Sequence, residues 1–289
     1  MFRQALKMQF SLMIQKKSFQ AVFGIVLFYV IATYLFYCFR YWGGEPSNFL
    51  SADAVFAGNN TTVFAFYLDL LFPFLIVLPF AFSFLTDKSV HILPVLQSKM
   101  SNKMYYLSKA IVCFMGGFLL FVIPFLISIF LNHITFPIQG TTVWGDLYSW
   151  NFANDITGNN VMISVVGKGL PFLGLYLYSP LLYNVLYVFF FAFFSGILSV
   201  FAFATSFFIK KYKIFVFVPI YLIIFGLNIL TFMLDTDGAT KFYNFFAFQY
   251  ITVNTEYGKT PVFIVTLTLA FVIASVFIIL HKASADQLD

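Results

Sequence analysis

Six apolar runs, each about as long as a bilayer span, occupy most of the chain. A transmembrane helix needs about 20 apolar residues, because the hydrocarbon core is about 30 Å thick and a helix rises 1.5 Å per residue. Lipid offers no partners to backbone N–H and C=O groups, so each run is predicted to be helical. The runs cover approximately residues 19–39, 63–85, 110–131, 181–209, 214–234 and 262–280.

The composition agrees with a membrane protein. Of 289 residues, 61% are hydrophobic and only 9% are charged, whereas an average soluble domain carries about 25% charged residues. The ten-residue alternation of a membrane barrel is missing from the sequence. We therefore predict an all-α integral membrane protein with six transmembrane helices that form one transmembrane domain over residues 1–289.

The basic residues predict the orientation, because Lys and Arg prefer cytoplasmic loops. One set of loops, with both termini, holds twelve of them and the other set holds four. We therefore predict a multi-pass protein of the plasma membrane with both termini in the cytoplasm. The formal charge of +5 is spread over membrane-edge loops, so it indicates topology and does not predict a nucleic-acid partner.

Residues 1–17 show the pattern of an amphipathic helix. Polar residues recur at helical spacing, and apolar residues lie on the opposite face; the polar set is Gln4, Lys7, Ser11 and Gln15, and the apolar set is Phe2, Leu6, Phe10 and Met13. We predict an interfacial helix on the inner leaflet that contacts membrane lipids. It either anchors the first span or transmits motion along the membrane plane.

The longest outer loop is predicted at residues 132–180. Loops of this length in compact domains are uncommon and often functional. Its tryptophans, Trp144 and Trp150, are typical either of a small folded extracellular cap or of an ordinary aromatic belt at the interface.

The sequence contains no recognisable catalytic or metal-binding motif. His91, His133 and His281 fall in three different loops, without acidic or cysteine partners at zinc-ligand spacing. Cys38 and Cys113 are predicted on opposite sides of the bilayer and are not expected to form a disulfide. We therefore expect a chain that is not an enzyme and that binds no cofactor or metal itself.

Few polar groups interrupt the spans. Asp69 is the one acidic residue predicted at depth, in the outer third of the second span, where it serves either a structural role or an outer gate. Pro73 and Pro79 in the same span each remove a helix hydrogen bond and predict a bend. Asn228 in the fifth span is the other candidate for a pathway or gate residue, although such a residue more often links helices.

The cytoplasmic loop 86–109 carries the most informative pattern. An acid, Asp87, is followed by the segment "KSVHILPVL" and then by "SNKMYYLSK", which leads into the third span. With six spans and an amphipathic N-terminal helix, this layout resembles the permease (transmembrane) subunits of bacterial type-2 ATP-binding-cassette (ABC) exporters. In those proteins an acid, a short coupling helix, a Ser–basic pair and a lysine occur in this order. The positions that match or flank this pattern are Asp87, Lys88, His91, Lys99, Ser101 and Lys103.

The resemblance implies a function. A cytoplasmic ABC ATPase subunit would bind loop 86–109 and supply ATP and Mg²⁺, and a second permease subunit would complete the pathway as a homodimer or a heterodimer. Because the spans are aromatic and almost uncharged, hydrophobic or amphipathic cargo is expected, with amphipathic antimicrobial or toxin-like peptides favoured over drugs or lipids. A basic loop that only follows the positive-inside rule, a structural or sensory membrane partner, and an ion-coupled transporter remain alternatives.

Overall fold

The computed structural model describes residues 2–45, 49–59, 62, 64–89, 101–138, 172, 175, 178–209, 213–234, 247–252 and 261–285. Within these ranges the chain is helical and contains no β-strand element. The predicted all-helical class is confirmed. The predicted cap at 132–180 lies almost entirely outside the described residues, because its largest part, 139–171, is not among them.

Nine α-helices are present in the described ranges. In chain order they are α1 (Phe2–Gln15), α2 (Lys17–Arg40), α3 (Ala65–Val77), α4 (Ser83–Ser89), α5 (Asn102–Thr135), α6 (Pro180–Thr205), α7 (Phe217–Leu234), α8 (Ala247–Ile251) and α9 (Pro261–Ala285).

Four of these segments are long and apolar enough to cross a membrane: Lys17–Arg40, Asn102–Thr135, Pro180–Phe208 and Val262–Ala285. Two predicted spans, the second and the fifth, correspond to the shorter apolar helices Ala65–Val77 and Phe217–Thr231. The fold is therefore that of a membrane-embedded helical protein. Six crossings and cytoplasmic termini stay predictions.

Helices α5 and α6 form the centre of the bundle, where two glycines allow their backbones to approach closely. A Cβ atom on Gly117 would lie 2.8 Å from the carbonyl oxygen of Ser195, and one on Gly196 would lie 2.9 Å from that of Phe114. Small residues at a helix crossing are typical of membrane proteins, because packing there depends on close van der Waals contact. A cluster of phenylalanines surrounds this crossing, with Phe121, Phe125 and Phe191 fully buried.

The N-terminal helix α1 confirms the predicted helix and buries a face that overlaps the predicted apolar face: Met13 belongs to both, and Leu6 and Phe10 are partly buried against the core. Its buried residues are Ala5, Gln9 and Met13, whereas Phe2 is exposed. A Cβ atom on Gly116 would lie 2.8 Å from the sulfur of Met13, so the absence of a side chain at Gly116 lets Met13 pack closely on α5. The helix is thus docked against α5 through Met13.

The predicted second span is interrupted. Helix α3 ends at Val77, residues 78–82 form turns, and α4 begins at Ser83. Pro79 lies in this break, where its missing N–H favours a turn over a continuous helix. Pro73, by contrast, lies inside α3.

Candidate functional site

The strongest polar cluster of the described chain joins the two ends of the predicted coupling loop. The carboxylate of Asp87, in the last turns of α4, accepts hydrogen bonds from the Lys109 ammonium at 2.5 Å and from the Tyr105 hydroxyl at 2.6 Å. The Lys109 side chain is 1% exposed and that of Asp87 is 22% exposed. We call Asp87, Tyr105 and Lys109, together with the ring of Phe80, the inner cluster.

Local structure explains this arrangement. The Ser101 side chain caps α5 by accepting a hydrogen bond from the Met104 N–H at 3.4 Å. Tyr105 and Lys109 then lie four residues apart, on one face of the helix. Burying a lysine is costly unless it is paired and hydrogen-bonded, and Asp87 on α4 provides that partner.

The inner cluster also contacts the N-terminal helices through Phe80. The Lys109 ammonium lies 5.8 Å from the centre of the Phe80 ring, and the Lys16 ammonium lies 5.5 Å from it. These distances allow cation–π attraction. The Ser18 hydroxyl donates a hydrogen bond to the Pro79 carbonyl at 3.2 Å. The break between α3 and α4 is therefore in contact with the α1–α2 junction.

The predicted coupling residues divide into three groups. Asp87 enters the inner cluster and Ser101 caps α5, as described above. Lys88 and Lys103 are exposed beside them. His91 and Lys99, like most of the segment "KSVHILPVL", lie outside the described residues.

A second polar site, which the sequence did not predict, lies at the other end of the bundle. Residues 51–59 are non-helical, yet all of them except the half-buried Asp53 are buried. The Ser128 hydroxyl accepts a hydrogen bond from the Ala57 N–H at 3.1 Å, and the Asn132 amide donates to the Val55 carbonyl at 3.1 Å. The Tyr29 hydroxyl donates to the Ala57 carbonyl at 2.9 Å.

This segment, which we call the buried loop, inserts deeply. Ser128 is seven residues before the end of α5, a distance of about 10 Å at 1.5 Å per residue. Non-helical backbone at such depth is tolerated in membrane proteins only where it is buried in protein or lines a water-filled cavity. Side chains from α2, α5 and α6 satisfy its polar groups here.

Asp53 connects the buried loop to two helices. Its carboxylate accepts a hydrogen bond from the Asn184 amide at 3.0 Å and lies 3.7 Å from Nε2 of His133. Burial raises the pKa of Asp53, and the nearby His133 and the hydrogen bond from Asn184 partly offset that rise. His133 Nδ1 is 2.9 Å from the carbonyl oxygen of Ile129.

The predicted pathway residues do not converge. Asp69 is half-buried on α3, Pro73 is buried four residues later, and the Pro79 carbonyl belongs to the contact with Ser18. Asn228 on α7 has a buried side-chain oxygen without a hydrogen-bond partner among the described residues. Phe72, three residues after Asp69, packs on Phe121 of α5 with ring centres 5.6 Å apart.

Among the described residues, no group of three or more His, Cys, Asp or Glu side chains lies close enough together to hold a metal ion. Cys38 and Cys113 are both free thiols. An apolar cavity of about 290 Å³ lies between α6 and α9, with Phe190, Phe194 and Leu269 among its lining residues.

Neither a family model, nor a curated protein, nor a solved structure matches this chain. The four long apolar helices place this chain in the class of membrane-embedded helical proteins. Its function has to be argued from the geometry.

Proposed function

We propose that this chain is the transmembrane permease subunit of an ATP-driven exporter of the type-2 ABC class. In this proposal it crosses the plasma membrane six times with both termini in the cytoplasm. A soluble ATPase subunit binds loop 86–109 and hydrolyses ATP with Mg²⁺, and a second permease subunit completes the pathway.

The observation that supports this proposal is the inner cluster. Asp87 precedes residues 90–100 and Lys109 follows them, so their ion pair holds together both ends of the segment on which an ATPase would act. Phe80 brings the α1–α2 junction into the same contact. A force applied to this segment would reach α1, α3 and α5 together.

The cluster also fits the requirement of a transmission element. Coupling between two sites requires an element with two states that both sites bias. The α3–α4 break is suited to such a change, because rotation about the turns at 78–82 can move α4 without unwinding α3. Met13 against Gly116 would carry this motion into α1, since the two groups are in close contact.

The cargo proposed for this exporter is hydrophobic or amphipathic, with an amphipathic peptide favoured over drugs or lipids. The exposed faces of α2, α3 and α9 carry large apolar side chains such as Phe28, Phe66 and Phe277. An aqueous path for sugars or ions would need a polar lining.

Co-purification in mild detergent with candidate ATPase subunits, followed by ATP turnover of the complex in nanodiscs, tests the proposal. Charge reversal at Lys99 and Lys103 is expected to reduce ATPase association strongly. The matched control is Lys282→Glu, at the predicted cytoplasmic end of α9. The permease assignment would be contradicted if the chain co-purified with none of the ATPases encoded beside it. It would also be contradicted if the double charge reversal changed neither ATPase association nor ATP turnover.

A further inference from the structure

The apolar cavity between α6 and α9 is bounded by two aromatic contacts. At one end Phe263 of α9 packs on Tyr250 of α8, with ring centres 5.4 Å apart. At the other end Phe271 of α9 packs on Phe194 of α6, with ring centres 6.4 Å apart. The two contacts lie eight residues apart on α9, which corresponds to about 12 Å of helix. Between them α9 stands away from the bundle and leaves a volume of about 290 Å³.

This cavity has a buried floor and an open side. Tyr187, Phe194 and Ile251 at its floor are buried, whereas Phe193 and Leu269 at its rim are 50% and 52% exposed. Helix α9 lies at the edge of the bundle, since only 17% of its most apolar stretch is buried. The open side therefore faces the hydrocarbon of the membrane.

The lining does not suit a charged or strongly polar ligand. None of the described residues that line the cavity is charged, and most are aromatic or aliphatic. The hydroxyl of Thr268, one of the few polar groups there, donates a hydrogen bond to the Ile264 carbonyl at 2.6 Å. A buried water molecule needs about two to four polar partners. Water is therefore a poor occupant of this cavity.

An empty cavity is unfavourable as well. The atoms that line a void lose dispersion contacts, and the cost rises with the volume of the void. The occupant also has to be narrow, because a helix about 10 Å in diameter would fill about 900 Å³ over a length of 12 Å. Neither a helix of a second copy nor a helical peptide fits this space. A single hydrocarbon chain is thin enough, and lipid supplies such chains on the open side.

We propose that this cavity binds one hydrocarbon chain of a membrane lipid, which enters between Phe193 and Leu269 and contacts Phe194 and Ile251 at the floor. One leaflet contributes about 15 Å of hydrocarbon, so the gap accommodates most of one chain. A lipid on an exposed helix face contacts a single wall, whereas this chain contacts α6, α8 and α9 and exchanges more slowly. The inference does not depend on the proposed export function.

Photo-crosslinking tests the lipid site. The full chain is reconstituted in nanodiscs with a phospholipid that carries a diazirine near the end of one acyl chain, and cross-links are mapped by mass spectrometry. The exposed face of α2 around Phe28, which is 72% exposed, is the internal reference for ordinary lipid contact. Labelling of the cavity residues is expected to be several times higher than labelling of this face. Equal labelling would overturn the proposal, because either ordinary surface lipid or a segment of the chain itself would then explain the cavity.

A substitution that fills the cavity sharpens the result. Thr268→Phe places a ring in the cavity and is expected to lower its labelling to the level of the α2 face. The matched control is Thr266→Phe, since Thr266 is exposed and its hydroxyl also bonds within the helix, to the Phe263 carbonyl at 2.8 Å. Elution in size-exclusion chromatography checks the folding of both variants. Undiminished labelling of the cavity in a folded Thr268→Phe chain would refute the site.

Two further measurements separate the lipid from other occupants. A bound chain stabilises the folded protein, so removal of lipid in detergent should lower the melting temperature of the wild type more than that of Thr268→Phe. An equal loss would contradict the proposal. An amphipathic peptide that displaced the lipid label from the cavity would identify a cargo site there and would also contradict a resident lipid chain.

Discussion

The two polar sites at opposite ends of the bundle are built differently. The inner cluster depends on a full charge pair, in which Asp87 compensates a lysine that is 1% exposed. The site around the buried loop depends mainly on neutral hydrogen bonds, in which Ser128, Asn132 and Tyr29 cap a non-helical backbone. The inner cluster therefore joins separate helices by a charge pair, whereas hydrogen bonds hold the buried loop within the bundle.

This difference predicts how each end responds to change. A charge pair is sensitive to the loss of one partner, because the remaining charge is then uncompensated. Removing one of the hydrogen bonds to the buried loop should cost the protein less stability, since each such bond contributes about 1 kcal/mol. We therefore expect substitutions in the inner cluster to cost more stability than single substitutions around the buried loop.

The largest effect is expected at the inner cluster. Asp87→Asn leaves the Lys109 ammonium buried without a countercharge, and we expect a loss of about 3–5 kcal/mol in the free energy of unfolding. Chemical unfolding in detergent micelles measures it. The exposed neighbour provides the control, because Lys88→Met should change stability by less than about 0.5 kcal/mol. If Asp87→Asn combined with Lys109→Met were no more stable than Asp87→Asn alone, the ion pair would not be the cause.

The helix crossing between the two ends should rank second. Gly117→Val places side-chain atoms against the backbone of α6, which lacks the flexibility of a side chain, and we expect a loss of about 3 kcal/mol. Gly24→Ala is the control, because nothing lies within 4 Å of its added Cβ atom. Thermal stability by fluorescence-detected size-exclusion chromatography compares the two. Equal thermal stability of the two variants would mean that the close crossing of α5 and α6 does not exist in the folded protein.

A smaller effect is expected at the buried loop. Asn132→Leu removes the donor to the Val55 carbonyl, and we expect a loss of about 1–3 kcal/mol, the desolvation cost of one unsatisfied carbonyl. Ser195→Ala is the matched control, since the hydrogen bond of the Ser195 hydroxyl among the described residues goes to the Phe191 carbonyl in its own helix, at 2.7 Å. Chemical unfolding measures both variants. A neutral Asn132→Leu variant would argue against a sealed loop.

The smallest expected effect is on the pH dependence of stability at Asp53. Because burial raises the pKa of Asp53 in the folded chain, its contribution to stability is fully present below the ordinary aspartate pKa. That contribution is lost as the pH rises through the folded-state value. Asp53→Asn should remove this loss, so the variant gains stability relative to the wild type as the pH rises from 4 towards 7. Melting curves across this range check the sign, and the opposite trend would show that pairing with His133 dominates.

The sequence grouped the residues of the inner cluster more clearly than those of the other site. Asp87, Ser101, Tyr105 and Lys109 lie within 25 residues, and their spacing already resembles a known loop. Asp53, His133 and Asn184 are spread over more than 130 residues, and no spacing rule connects them. The one available signal was the segment "SADAVFAGN", which is more apolar and richer in small residues than an exposed loop usually is.

The all-helical class, the membrane character and the amphipathic N-terminal helix follow from the sequence, because hydrophobic periodicity and span length are local properties of the chain. The tertiary structure decided which face of α1 is buried, how the second predicted span is broken, and that a loop enters the bundle. These features depend on where Gly116, Gly117 and Gly196 allow helices to approach and on which side chains meet the loop. Such contacts join residues far apart in the chain, so local patterns do not reveal them.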